Sequence, residues 1–120
     1  MRTTRLLTKG AAVVATSCFL VSAAASTALA QDAQALYKKS CLTCHGAGGK
    51  GDGPAAKVLK PPPGDFATAL AGKSDADLAK LIKDGRKKGD GVAAHAAFGS
   101  KLSDEQIQGV VQHIKELAGK

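Results

Sequence analysis

Residues 41–45 read Cys-Leu-Thr-Cys-His, and C-x-x-C-H is the spacing of covalent haem attachment. The thiols of Cys41 and Cys44, at the end of a helix, can lie under one porphyrin edge and add across its two vinyl groups. The imidazole of His45 then reaches the iron from the same face. A chain built on this motif has to fold around a flat apolar cofactor as well as around itself. Other uses of the same residues account for less of the pattern. A thioredoxin-like redox pair needs a βαβ setting, and the sequence holds no strand-like run. A disulfide between Cys41 and Cys44 leaves His45 without a role. Zinc on Cys41, Cys44, His95 and His113 would use two histidines much farther apart than the roughly three to five residues of a compact finger.

Residues 1–30 are read as a targeting segment. Arg2, Arg5 and Lys9 precede an apolar stretch from Gly10 to Val21, and a small-residue run ends Ala28-Leu29-Ala30, the pattern of a secretory signal peptide with an A-x-A site. A membrane span of about twenty residues is the competing reading, but the serine and alanine content and the terminal A-x-A favour removal. Cleavage after Ala30 leaves residues 31–120 as one small domain. Its core is marginal unaided, so a buried porphyrin would supply much of the apolar area. Cys18 departs with the leader, and the cysteines that remain both belong to the haem motif, in keeping with export to the periplasm.

The whole chain carries +7. Loss of Arg2, Arg5 and Lys9 takes three from the 17 basic residues against ten acids, leaving +4. Nucleic acid fits poorly, since the chain is read as exported and its aromatics are Phe19, Tyr37, Phe66 and Phe98 with no basic stretch interleaved among them. An acidic redox protein is the partner this charge favours.

The remainder reads as helices joined by irregular loops. Asp32 can cap a first helix running to Ser40, with Leu36 and Tyr37 inward and Lys38 and Lys39 toward water. Between Gly46 and Gly53, five of eight residues are glycine, which forbids regular structure and lets backbone approach a flat ligand. Pro61-Pro62-Pro63 then holds the chain extended. Ser74 with Asp77 predicts a capping box for a helix from about Asp75 to Lys83, stopped by Gly85. Ser103 with Gln106 predicts a second box, and Ile107, Val110, Val111, Ile114 and Leu117 form one apolar face.

In these stretches the chain resembles the small class I c-type cytochromes of the bacterial periplasm. The resemblance covers residues 32–118 and rests on Leu36-Tyr37 before Cys41–Gly46, on Gly49-Lys50-Gly51-Asp52-Gly53-Pro54-Ala55-Ala56, on Pro61–Phe66, and on Phe98–Ile107. It implies an all-α cytochrome c fold, three main helices with Gly/Pro-rich loops wrapped around one covalently bound haem c, and a close crossing of the first and last helices near Ala33 and Gly109. It also implies that a proline carbonyl, from Pro61, Pro62 or Pro63, accepts the Nδ1 hydrogen of His45. The departure is on the distal side. Family members read Met-Pro-Ala-Phe-Gly where this chain reads His95-Ala96-Ala97-Phe98-Gly99, and its single methionine is Met1. His95 therefore stands at the position of the distal ligand. Bis-histidine ligation by His45 and His95 is expected, with an open or water-bound iron as the alternative. His113, on the last helix, is read as a packing residue.

A six-coordinate haem of this kind is a carrier's centre rather than a catalyst's, so the expectation is an electron-transfer protein without enzymatic activity. Imidazole in place of thioether sulfur lowers its potential. The runner-up is a haem-based ligand-binding or sensing protein in which a small molecule displaces His95. A peroxidase would need acid/base groups that Ala96 and Ala97 do not offer. Lys38, Lys39, Lys50, Lys57, Lys60, Lys87 and Lys88 lie nearest the motif and the distal loop in sequence. Among them Lys87 and Lys88 are the expected docking charges.

Overall fold

The computed structural model describes residues 21–89 and 94–120, with side chains from Thr27 onward. Met1, Arg2, Arg5, Lys9, Cys18, Phe19 and nearly all of the apolar leader stretch lie outside the described residues. Five α-helices and one 3-10 turn make up the regular structure, in the order α1 (Val21–Ser40), α2 (Leu42–His45), the 3-10 turn Ala56–Val58, α3 (Phe66–Ala69), α4 (Asp75–Asp84) and α5 (Asp104–Ala118). Among the described residues there is no strand, only an isolated antiparallel bridge between Arg86 and His95. No described helix is long and apolar enough to cross a membrane. The all-α architecture is as expected.

Both predicted capping boxes form. The Ser74 hydroxyl accepts from the Asp77 backbone N–H while the Asp77 carboxylate accepts from Ser74 N–H, and Ser103 and Gln106 repeat the exchange at α5. The start of α1 differs from expectation. Asp32 does not cap the helix but lies within it, because the alanine-rich segment before it is strongly helix-forming and nothing between Val21 and Ser40 breaks the turn. Two one-turn helices were also not anticipated: α2, and α3, which Asp65 caps by accepting from Ala67 N–H at 2.9 Å.

The core lies between α1, α4 and α5. Tyr37 from α1, Leu78 from α4, and Ile107, Val110 and Val111 from α5 are all at least 97% buried. The most extensive helix pairing is α1 with α5, and it depends on Gly109. A Cβ built there would sit 3.3 Å from the Ala33 Cβ, so the small residues at these two positions set how closely the helices meet, as the resemblance implied. Exposed contacts tie α4 to α5: Lys115 to Asp75 at 2.6 Å and Lys83 to Asp104 at 2.8 Å. Each is worth little alone.

Candidate functional site

The helical turn of α2 explains the attachment motif in space. Cys41, Cys44 and His45 stand at i, i+3 and i+4, which a helix places on one face. The turn is closed by His45 N–H donating to the Cys41 carbonyl at 2.9 Å and by Gly46 N–H donating to Leu42 at 2.8 Å. It is fixed from behind by the Tyr37 hydroxyl, which donates to the Gly46 carbonyl at 2.6 Å. That bond leaves the buried hydroxyl satisfied, and burial pushes the Tyr37 pKa up to about 12. Burial, and then the neighbouring Cys44, push the Cys41 thiol to about 11.

In front of this face is a cavity of about 430 Å³, within the range of small-molecule and cofactor sites. Its walls come from several elements of the domain: Cys41, Cys44 and His45 on one side; Pro61, Pro62, Pro63 and Phe66 next; Leu78, Leu81 and Ile82 from α4; Val110 and Ile114 from α5; and His95 and Phe98 opposite. The proline run therefore lies where a flat ligand would meet it.

The imidazoles of His45 and His95 face each other across this space, with ring centroids 6.1 Å apart and planes inclined by 47°. Two imidazoles bound through nitrogen to opposite sides of one metal ion, with bonds of about 2 Å, hold their ring centres roughly 6 Å apart. The pair thus has the separation that one iron would span, in a cavity whose remaining lining is mostly apolar and which includes both thiols of the motif. These residues fit an iron porphyrin attached through Cys41 and Cys44.

The two histidines are held differently. His95 Nδ1 lies 2.9 Å from the Ala96 carbonyl, and a carbonyl only accepts, so Nδ1 carries the hydrogen and Nε2 keeps its lone pair for a metal. Burial holds His95 below the ordinary histidine range, with the positive charge of Arg86 adding to the effect and the Ala96 carbonyl opposing it. Burial, and then His95 itself, lower His45. Both are therefore kept as neutral imidazoles, the ligating form. The Nδ1 of His45 is buried with no hydrogen-bond partner, so none of the three prolines accepts from it here. What orients this ring is Phe66, whose ring centre is 4.9 Å away at 31°. Phe66 is itself seated beneath Gly49, where a Cβ at φ +69° would collide with its ring, and its N–H donates to the Gly49 carbonyl at 2.8 Å.

Phe66 is a site residue beyond those the sequence motif declares. An aromatic residue just after the Asp65 cap, following the proline run, was the available signal. His113 packs edge-on against Tyr37 at 5.2 Å and does not line the cavity. The four-residue zinc set is accordingly not assembled: among the described residues no group of three or more His, Cys, Asp or Glu side chains converges as metal ligands. Both thiols are free.

His95 is carried by a strap that hydrogen-bonds to the end of α4. Arg86 N–H donates to His95 at 2.9 Å and His95 N–H donates back at 2.7 Å, while Phe98 and Gly99 donate to the terminal carbonyls of Ile82 and Lys83, each at 2.9 Å. Carbonyls that a helix end leaves without partners are thereby paired with the segment that carries His95.

The family described as "Cytochrome C oxidase, cbb3-type, subunit III" matches residues 28–114. No curated protein matches. Among solved structures, a chain of the "Kuenenia stuttgartiensis reducing HAO-like protein complex Kustc0457/Kustc0458" is similar at 25% identity with a TM-score of 0.59, over 75% of this chain and 44% of that one. The present chain thus spans less than half the length of its structural neighbour.

Proposed function

The chain belongs to the cytochrome c oxidase, cbb3-type, subunit III family, and on that footing we propose that it is a one-haem electron-transfer protein, bis-histidine ligated by His45 and His95 and of lowered potential. The observation that carries the ligation is the 6.1 Å separation of the two rings across the cavity. Haem c, when bound through Cys41 and Cys44, supplies reversible one-electron chemistry. The chain's own residues do the rest. His45 and His95 would hold the iron, and the walls from Leu81, Ile82, Val110 and Ile114 would keep the centre dry. The backbone pairing of Arg86 with His95 fixes the segment from which the His95 ring is offered. Such a site has no position for a substrate, so the protein has no catalytic chemistry of its own. The likeness to a chain of a reducing HAO-like complex supports a role either as a diffusible carrier or as the electron-accepting subunit of an oxidoreductase. Export to the periplasm after cleavage at Ala30 belongs to this reading.

Carbon monoxide tests the ligation. The reduced protein is expected to show no prompt spectral change on exposure to the gas, and the oxidised protein to give a low-spin paramagnetic resonance signal of the bis-histidine type. Rapid carbon monoxide binding would overturn the carrier reading in favour of a displaceable sixth site.

The docking face in this proposal is the 3-10 turn beside α2 rather than the Lys87-Lys88 pair expected from the sequence, because the turn adds an exposed apolar tip to its lysines. Val58 is 80% exposed and stands between Lys57 and Lys60, neither engaged by a carboxylate in the ion pairs of the described residues. The turn is joined to the cysteine-bearing helix by Ala55 N–H donating to Thr43 at 2.9 Å. An apolar tip flanked by lysines at the thioether edge suits a partner with an apolar patch rimmed by carboxylates. With an acidic flavodoxin as probe, the second-order rate constant is expected to fall with rising ionic strength, and about tenfold in the Lys57→Glu, Lys60→Glu double variant. A rate indifferent to salt and to both changes removes this face as the docking site.

A further inference from the structure

A haem brings two carboxylates, and the lining of its cavity has to meet them. A carboxylate brought against low-dielectric walls is costly unless paired. Among the described residues no aspartate or glutamate lines the cavity, and besides the two histidines its basic members are Lys73 and Arg86. These stand just outside the two ends of α4, a helix of ten residues, so their backbones are separated by roughly 15 Å or more at about 1.5 Å of rise per residue. The two carboxylates of a haem leave from one edge of the ring, so a single end of α4 faces that edge.

Backbone geometry selects the Arg86 end. Arg86 lines the cavity together with His95, and its backbone is bonded in both directions to His95, at 2.9 and 2.7 Å, so its Cα is fixed beside the residue that faces the iron position. Lys73 has no such anchor. Its N–H donates to Leu70 at 3.1 Å, closing the turn after α3. The guanidinium is also the better group, because its planar fork matches a carboxylate with two parallel hydrogen bonds.

We infer that Arg86 is the carboxylate-binding residue of the cavity, pairing its guanidinium with a propionate of the bound tetrapyrrole and so orienting the ring between His45 and His95. The assignment rests on the haem reading above, yet it fails separately from it. Wild-type protein purified without covalently attached haem would sink that reading, whereas the Arg86 assignment is decided on loaded protein.

Resonance Raman spectra of the loaded protein report the bending mode of the propionate groups. Arg86→Gln is expected to shift this band and to lower the midpoint potential, since a positive charge beside the ring is lost. Arg86→Lys keeps the charge and is expected to hold the potential near the parent value while altering the band. Lys73→Gln is expected to leave the propionate band unchanged. An unaltered propionate band in both Arg86 variants overturns the assignment, as does a band that moves in Lys73→Gln and not in Arg86→Gln.

Discussion

His95→Met is expected to raise the midpoint potential by roughly 0.1–0.3 V, a fraction of the roughly 0.8 V that axial ligation spans, and His95→Ala is expected to give a high-spin iron that binds carbon monoxide at once. The two changes bracket the ligand because the strap that presents position 95 is held by backbone. The pairing of Arg86 and His95 uses N–H and carbonyl groups only, so it survives any change of side chain. Methionine then offers thioether sulfur from the same place, and sulfur favours reduced iron relative to imidazole. Alanine offers nothing. Among the described residues flanking position 95, Ala94, Ala96 and Ala97 have no donor side chain and Phe98 is apolar, while His113 packs edge-on against Tyr37 away from the cavity. Spectroelectrochemical titration reads the first effect and the reduced spectrum with carbon monoxide the second. If both variants keep the parent spectrum and potential, another group holds the sixth position.

Gly85→Ala is expected to cost about 2–4 kcal/mol of stability and to make the iron accessible to carbon monoxide, although residue 85 does not line the cavity. Gly85 ends α4 at φ 70° and ψ −168°, a region of backbone space that is essentially closed to other residues and costs a side chain about 1–3 kcal/mol. The rest comes from contact. A Cβ there would stand 2.5 Å from the His95 carbonyl oxygen and 2.8 Å from the Ala97 nitrogen, so the strap has to move outward. The bond from Arg86 N–H to His95 is the first to suffer, and with it the seat of the distal ring. Denaturant unfolding of the loaded protein measures the loss, and the rate of carbon monoxide binding measures the release of His95. Unchanged stability together with continued exclusion of the gas would show that the strap is not what holds the ligand.

These positions illustrate what a sequence can declare. Cys41, Cys44 and His45 are legible because their spacing is a helical spacing and their chemistry is specific. The caps at Ser74 and Ser103 are legible because each box is written within four residues, and the apolar face of α5 because its period is helical. Gly85 is legible as a helix stop, but its second duty is not. The hydrogen bonds from Arg86, Phe98 and Gly99 join backbone groups across the intervening loop, and backbone pairing leaves no mark on residue type. Phe66 is hidden for a related reason: its partner His45 is distant in sequence, and only the fold reveals that its ring packs against the imidazole. The early start of α1 shows the reverse case, where a plausible cap at Asp32 is overridden by helix-forming neighbours on its N-terminal side.

The contact of Ala33 with Gly109 joins the first helix to the last, so the walls of the cavity come from both ends of the domain. The cysteines follow the first helix, whereas Val110 and Ile114, which wall the far side of the same cavity, belong to the last fifteen-residue helix. In a chain delivered amino terminus first, the thiols emerge long before the surface that encloses them. They stay open to reagents of molecular size until α5 arrives and closes the domain behind whatever has been attached.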